Sequence, residues 1–280
     1  MSLADETALA AVLARAMEIV RRAPPARTTL KAVQDHVTDV DLAVDAFLAT
    51  ELDRLTPGLP VLSEERAATL AGPEPGWWVV DPVDGTGNLV AGLPFVGIAV
   101  ALVDAAGPRL AGVASVAEGT IATATRGAGA RLRLADGSTR PLTLPAAPPD
   151  LAVLSTGLLD ALFADPAGAA RFAGFRRLAK LRNLGAQSLH VLGVAQGRFA
   201  AAASIEARVW DEAAAGLILR EAGGLWISAA DAGDWSSPAA MMAVPAQRSL
   251  AAHPAVAAAL AAALDGLVTP LANPNRSPLP

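Results

Sequence analysis

Four apolar residues, Trp77-Trp78-Val79-Val80, run directly into Asp81-Pro82-Val83-Asp84-Gly85-Thr86-Gly87-Asn88, and no other junction constrains the fold as much. The apolar run reads as a buried strand. Pro82 cannot donate to a continuing ladder, so the strand is expected to end at Asp81 and to leave two carboxylates at the mouth of a sheet. Gly85 permits close backbone approach, and the N–H groups from Gly85 to Asn88 can face an anion at the start of a short helical turn. Hard carboxylate oxygens suit Mg²⁺ rather than zinc. A cation and a phosphate held at one strand end point to metal-assisted phosphoryl transfer to water.

Downstream, Trp210-Asp211-Glu212-Ala213-Ala214-Ala215-Gly216 opens a helix that continues to a stop at Gly223-Gly224, which puts Asp211 in the first turn. Upstream stand Val61-Leu62-Ser63-Glu64-Glu65 and, earlier, Val37-Thr38-Asp39-Val40-Asp41. Each has a bland reading. An Asp-Pro pair initiates turns, an acid in a first turn complements the helix dipole, Glu64 and Glu65 suit a solvated loop, and Thr38 with Asp41 fits a capping box. Taken together and in this order, the four segments carry more than any one of them.

As a set they resemble the inositol monophosphatase family of Mg²⁺-dependent, lithium-sensitive phosphatases. Asp-Pro-x-Asp-Gly-Thr, the distant Trp-Asp-x-Ala-Ala-Gly, the paired glutamates and a Val-Thr-x-x-Asp element with Asp39 as an extra acid carry the resemblance, from about Asp35 to Gly224. The resemblance implies a layered α-β-α-β-α sandwich and two or three Mg²⁺ ions. Glu64, Asp81 and the carbonyl of Val83 would hold one ion, and Asp81, Asp84 and Asp211 a second. Glu64 and Thr86, with Asp41 behind them, would direct a water at phosphorus, while N–H groups near Gly85 and Thr86 cradle the phosphoryl oxygens. Gly185-Ala186-Gln187-Ser188 falls where relatives carry a Gly-Ser/Thr-Ala motif against the sugar ring. Ser204 stands seven residues before Asp211, where inositol-specific relatives carry a glutamate, and Glu206 is two residues out of that register. The implied substrate contacts are therefore Asp84, Gly85, Thr86, Gly185, Ala186, Gln187, Ser204 and Asp211. The function implied is hydrolysis of a small polyol or sugar phosphate such as inositol 1-phosphate. Histidinol phosphate, fructose 1,6-bisphosphate or 3′-phosphoadenosine 5′-phosphate are sister specificities. A regulatory binding module and a homodimer are further expectations from the same resemblance.

Composition narrows the classes. At 280 residues with 53% hydrophobic and 18% charged content, the chain can bury a sizeable core and is not a disordered polymer. A net charge of −5 offers no general attraction to nucleic acid or to anionic membranes. Without cysteine there is no disulfide, thiolate metal site or thiol nucleophile. The N-terminus carries Asp5 and Glu6, and Leu9, Val12, Leu13, Ala16, Ile19 and Val20 follow helical spacing, so an amphipathic helix is expected rather than a signal peptide. The apolar stretch from Leu89 to Val103 contains Pro94 and is too short to span a bilayer, which makes a cytoplasmic location the default.

The fold class expected from the pattern is α/β (α+β), with two packed lobes meeting near the proline-rich segment Pro141 to Pro149. Residues 1–145 form an α+β lobe with strands at Trp77–Val80, Phe95–Val103, Leu110–Val116 and Ile121–Thr125. Residues 146–268 alternate, with strands at Leu151–Leu154, Leu178–Leu184, Phe199–Ala203, Leu225–Ser228 and Met241–Val244 around helices near Ala167–Phe172, Ala186–Ala195 and from Asp211. Residues 269–280, rich in proline and asparagine, read as a disordered tail. Gly127-Ala128-Gly129 reads as a turn, His36, His190 and His253 as scattered packing or surface residues, and the Arg171, Arg176, Arg177, Lys180, Arg182 cluster as a solvated face.

Overall fold

The computed structural model describes residues 5–23, 28–32, 35–66, 76–164, 166–228, 235, 238–242 and 247–264. Helix α1 (Glu6–Arg22) is N-capped by Asp5 and buries one face, Leu9, Val12, Leu13, Ala16, Met17 and Val20. The antiparallel pair β1 (Thr28–Ala32) and β2 (Asp35–Thr38) leads into α2 (Asp39–Leu55), where Thr38 and Asp41 close a capping box. Next come β3 (Val61–Ser63), β4 (Trp77–Asp84), the short α3 (Thr86–Ala91), β5 (Gly97–Asp104), β6 (Gly107–Ser115), β7 (Thr120–Thr125), β8 (Ala130–Arg133) and β9 (Thr139–Leu142). These strands form a seven-stranded sheet in chain order, antiparallel throughout except for the parallel β3/β4 pair.

The second sheet is built from β10 (Leu151–Leu154), β11 (Lys180–Arg182), β12 (Ala201–Ala207), β13 (Leu225–Ser228) and β14 (Gln247–Ala252), in the order β11-β10-β12-β14-β13. Between these strands run α4 (Thr156–Ala164), α5 (Gly168–Leu178), α6 (Gln187–Ala195), α7 (Val209–Glu221) and α8 (Pro238–Met242), with α9 (Pro254–Ala263) after β14.

Strand alternation sorts the side chains into layers. Trp78, Val80, Ile98, Val100 and Leu102 point to one side of the large sheet and pack on α1 and α2. Trp77, Val79, Ala99, Ala101 and Val103 point to the other side and meet α6 and α7, which also pack on Val153, Ala202 and Ala251 of the second sheet. The outer face of that sheet, with Ala152, Leu154, Ala203 and Leu250, is covered by α4, α5 and α9 through Leu158, Phe175 and Leu260. The result is the α-β-α-β-α sandwich. A helix held between two sheets must be apolar and slim on every side, which accounts for Ala213-Ala214-Ala215-Gly216. A side chain at Gly216 would collide with the Trp226 ring.

Several elements differ from the expectations. Strand β4 does not end at Asp81 but continues to Asp84, because the register against β5 shifts between these two residues. Pro82 sits within that irregularity, where no ladder donor is needed. The expected strand from Leu178 is shorter, since α5 runs through Leu178 and only Lys180–Arg182 pair with β10. Met241 and Met242 end α8 rather than begin a strand, and β14 takes that role from Gln247 onward. Helix α7 begins at Val209, which makes Asp211 its third residue. Residues 243–244, the 269–280 tail and the His36 side chain lie outside the described residues.

Candidate active site and metal centre

Three carboxylates from three elements converge. Glu64 follows β3, and its N–H donates to the Val80 carbonyl (3.2 Å), which holds it beside Asp81 on β4. Asp211 is placed by the first turn of α7, where one of its oxygens accepts the Arg208 N–H at 2.7 Å. Glu64, Asp81 and Asp211 each offer an oxygen within 4.8 Å of the others. Asp81 is 1% exposed and accepts the Val83 N–H at 3.1 Å. Burial, and then the charges of Glu64, Asp84 and Asp211, hold its pKa well above the usual carboxylate value. Burial and the neighbouring Asp84 charge do the same to Asp211. No lysine or arginine among the described residues is ion-paired to Asp81 or Asp211. Hard oxygen donors this close, repelling one another inside the fold, suit a divalent cation such as Mg²⁺.

Asp84 has a different environment. One oxygen accepts the Gln187 N–H (3.0 Å), and the other accepts the Ser188 N–H (2.6 Å) and hydroxyl (2.5 Å). Ala186 at the N-cap of α6 has no side chain able to cap, so Asp84 caps that helix from another element. Burial pushes the Asp84 carboxyl up to about 6 even though those hydrogen bonds oppose the shift. The Val83 carbonyl accepts the Thr86 hydroxyl at 3.1 Å, and the same hydroxyl lies 2.7 Å from Asp41. Asp41 is therefore both a helix cap and the partner of Thr86, since its second oxygen bonds Thr38. Gly85 adopts φ 92°, and a Cβ there would stand 2.9 Å from the Phe95 carbonyl.

The remaining candidates line one cavity of about 210 Å³ that Asp84 and Asp211 also face: Gly185, Ala186, Gln187, Ser204 and Glu206, with Thr156, Asn183 and His190. Asn88 ties α3 to this wall by donating to the Phe95 and Leu184 carbonyls at 2.8 and 2.7 Å. Ser204 is buried, and its hydroxyl accepts from the N–H groups of Glu206 and Ala207 where β12 slips register against β14. Glu206 is exposed, and one of its oxygens accepts the Gly157 N–H at 2.7 Å. The Gln187 amide is held at both ends, by Glu212 (2.8 Å) and His190 (3.1 Å). A larger groove between α1 and α2, lined by Ile19, Val40 and Phe47, is reached by none of Glu64, Asp81, Asp84 or Asp211.

Two residues were missed from sequence. Ser188 lay inside the Gly-Ala-Gln-Ser segment without an assigned role. Glu212 has no role in that reading although it directly precedes the apolar run Ala213 to Leu219, where an inward-facing acid calls for a buried partner. The Gly127–Gly129 turn receives the Glu221 carboxylate on two N–H groups, at 2.8 Å each, and is structural. His253 caps α9, and Lys180 pairs with Asp150 at the surface.

The five-layer fold with a carboxylate cluster beside its large sheet defines a class of mixed α/β proteins. More narrowly, the chain belongs to the inositol monophosphatase family, whose model matches residues 3–268. The Nus factor SuhB of Escherichia coli K12 is 31% identical over 207 residues, 70% of this chain and 72% of that one. The extragenic suppressor protein suhB of Bartonella henselae superposes with a TM-score of 0.76 at 20% identity, over 93% of this chain and 98% of that one. An IMPase/NADP phosphatase solved in complex with Mg²⁺ and phosphate superposes with a TM-score of 0.71 at 21% identity, over 93% of each chain. No helix among the described residues is long and apolar enough to cross a membrane.

Proposed function

We propose that this chain is a Mg²⁺-dependent phosphomonoesterase for a small polyol or sugar phosphate, with 1–145 and 146–268 as the two lobes that frame its site. The observation that carries this reading is the convergence of Glu64, Asp81 and Asp211, with no basic partner for Asp81 or Asp211 among the described residues, beside a cavity sized for a small molecule. Bound there, Mg²⁺ would lower the pKa of water and offset the charge of a phosphoryl group. Glu64, Asp81 and Asp211 would hold it, with the Val83 carbonyl and Asp84 completing two or three ion positions. Asp41 orients the Thr86 hydroxyl, and Thr86 with Glu64 aligns the attacking water. The turn at Gly85 and Thr86 presents N–H groups to the phosphoryl oxygens, and Asp211 lies on the leaving-group side. A homodimer, a cytoplasmic location and sensitivity to lithium belong to the same proposal, on family grounds.

For substrate choice, Glu206 is the better candidate for a ring hydroxyl than Ser204, because Ser204 is spent on the local turn and Glu206 keeps an oxygen at the cavity mouth. Losing one charge-assisted hydrogen bond costs about 1.5–3 kcal/mol, so Glu206→Ala is expected to lower kcat/KM for inositol 1-phosphate about tenfold or more relative to glycerol 2-phosphate. Ser204→Glu, which would bury a charge, is expected to lower the melting temperature instead of redirecting specificity. Equal loss on both substrates would remove Glu206 from the reading. The wider test is phosphate release from inositol 1-phosphate, glycerol 2-phosphate, histidinol phosphate, fructose 1,6-bisphosphate and 3′-phosphoadenosine 5′-phosphate, with and without Mg²⁺. Release from none of them would reject the phosphatase and favour the second reading, a regulatory factor, which is supported by the Nus factor name of the curated relatives.

A further inference from the structure

Glu212 is completely buried next to the proposed cation ligand Asp211, and it is fully engaged. It accepts from Ser249 on β14, from the Trp226 indole on β13 (3.3 Å) and from the Gln187 amide at the start of α6 (2.8 Å). Burial raises its pKa, and these three donors oppose the shift. The other end of the Gln187 side chain meets His190 Nδ1 at 3.1 Å, while His190 Nε2 accepts the Leu184 N–H at 3.2 Å. His190 therefore carries its proton on Nδ1 and donates it to Gln187, which leaves the Gln187 NH₂ facing Glu212. Burial pushes His190 down to about 3, so this direction holds at neutral pH. Every group in the chain has one assigned role, from the small sheet through Glu212 and Gln187 to His190.

We propose that Glu212 is a positioning residue for the cation site, acting through Gln187 on Asp84. The inference rests on the phosphatase reading. Gln187 and Ser188 donate three hydrogen bonds to the Asp84 oxygens, so the place of α6 determines where Asp84 points. Glu212 fixes that place against β13 and β14, and Asp211 precedes it on the same helix turn. One linkage thus sets the spacing of Asp84 against Asp211 across two elements that differ by more than a hundred residues in sequence. A buried acid is costly, and an apolar residue would pack α7 between the sheets at least as well, so packing does not account for it.

The test is the dissociation constant for Mg²⁺ alone, measured by calorimetry on the full chain without substrate, with melting temperature alongside. Partners that orient metal ligands typically change affinity about 10–100-fold, and Glu212→Leu and Gln187→Met are each expected to weaken Mg²⁺ by that amount. Because both act on one linkage, the double variant is expected to be no weaker than the worse single one. Glu212→Gln keeps an acceptor for the Gln187 amide and is expected to stay within about threefold of the unaltered protein. A lower melting temperature with unchanged Mg²⁺ affinity would show that Glu212 is structural only and overturn the proposal. If Glu212→Leu does not fold, Gln187→Met, which preserves volume, decides by the same criterion. Should the unaltered chain bind Mg²⁺ yet hydrolyse no phosphomonoester, the phosphatase reading falls and the affinity comparison still decides this one. Failure to bind Mg²⁺ at all overturns both.

Discussion

Asp81→Asn is expected to cut Mg²⁺-dependent phosphate release about a thousandfold, about 4 kcal/mol of transition-state stabilisation, and to raise the melting temperature of the metal-free protein. The two effects have one origin. Asp81 is a buried carboxylate facing three other acids, and the amide removes a charge that is useful only when a cation is present. The side-chain oxygen that accepts the Val83 N–H survives the substitution, so the local turn is kept. Asp84→Asn is expected to behave differently. Both Asp84 oxygens accept from α6, and an amide would turn its NH₂ toward one set of donors and lower stability as well as activity. Assays of release and of melting in chelator check both variants. An Asp81→Asn protein that melts lower than the unaltered one, or that keeps its activity, would sink the argument.

Mg²⁺ is expected to raise the melting temperature more at about pH 8 than at about pH 5, reflecting about 2.7 kcal/mol at a hundredfold excess over its dissociation constant where protons do not compete. The sign follows from the direction of the shifts. Asp84 titrates at about 6 in the fold, above its ordinary value of 3.8, and Asp81 and Asp211 are raised as well. A raised folded pKa contributes stability that is complete below the unfolded value and is lost as pH rises through the folded one. Ionisation of Asp84 in the metal-free fold therefore weakens it progressively from about pH 4 through about pH 6, Asp81 and Asp211 act in the same direction, and the cation relieves that strain once the acids are charged. Calorimetric melting with Mg²⁺ or with chelator at both pH values measures it. An equal increment at the two pH values would show that the acids do not act as the cation site.

The signals that could be read from sequence were local ones. Trp77 to Val80, Leu151–Leu154 and Leu225–Ser228 read as strands because apolar runs between turn residues identify them without reference to the rest of the fold. The capping role of Asp41 is legible from its spacing to Thr38, and in the structure its two oxygens divide between Thr38 and Thr86. The misplaced elements are those where tertiary pairing overrules a local rule. Pro82 does not stop β4, since the irregularity against β5 removes the need for its N–H, and Met241 belongs to a helix although its neighbours are apolar.

The layered sandwich is what the family resemblance implies; by itself the sequence determined the order of the acidic segments, the strand and helix alternation of two α/β lobes, and the surplus of alanine. These follow from periodicity, turn chemistry and residue size, which act over a few positions. Only the tertiary structure decided the use of each side chain. Asp84 caps α6 from 103 residues away, Ser204 takes the Glu206 and Ala207 N–H groups of its own turn, and Gln187 is tied to Glu212 instead of lying free for a substrate. A buried polar atom takes whichever partner the packed fold brings within about 3 Å, and that choice is made by distant elements meeting rather than by neighbours in the chain.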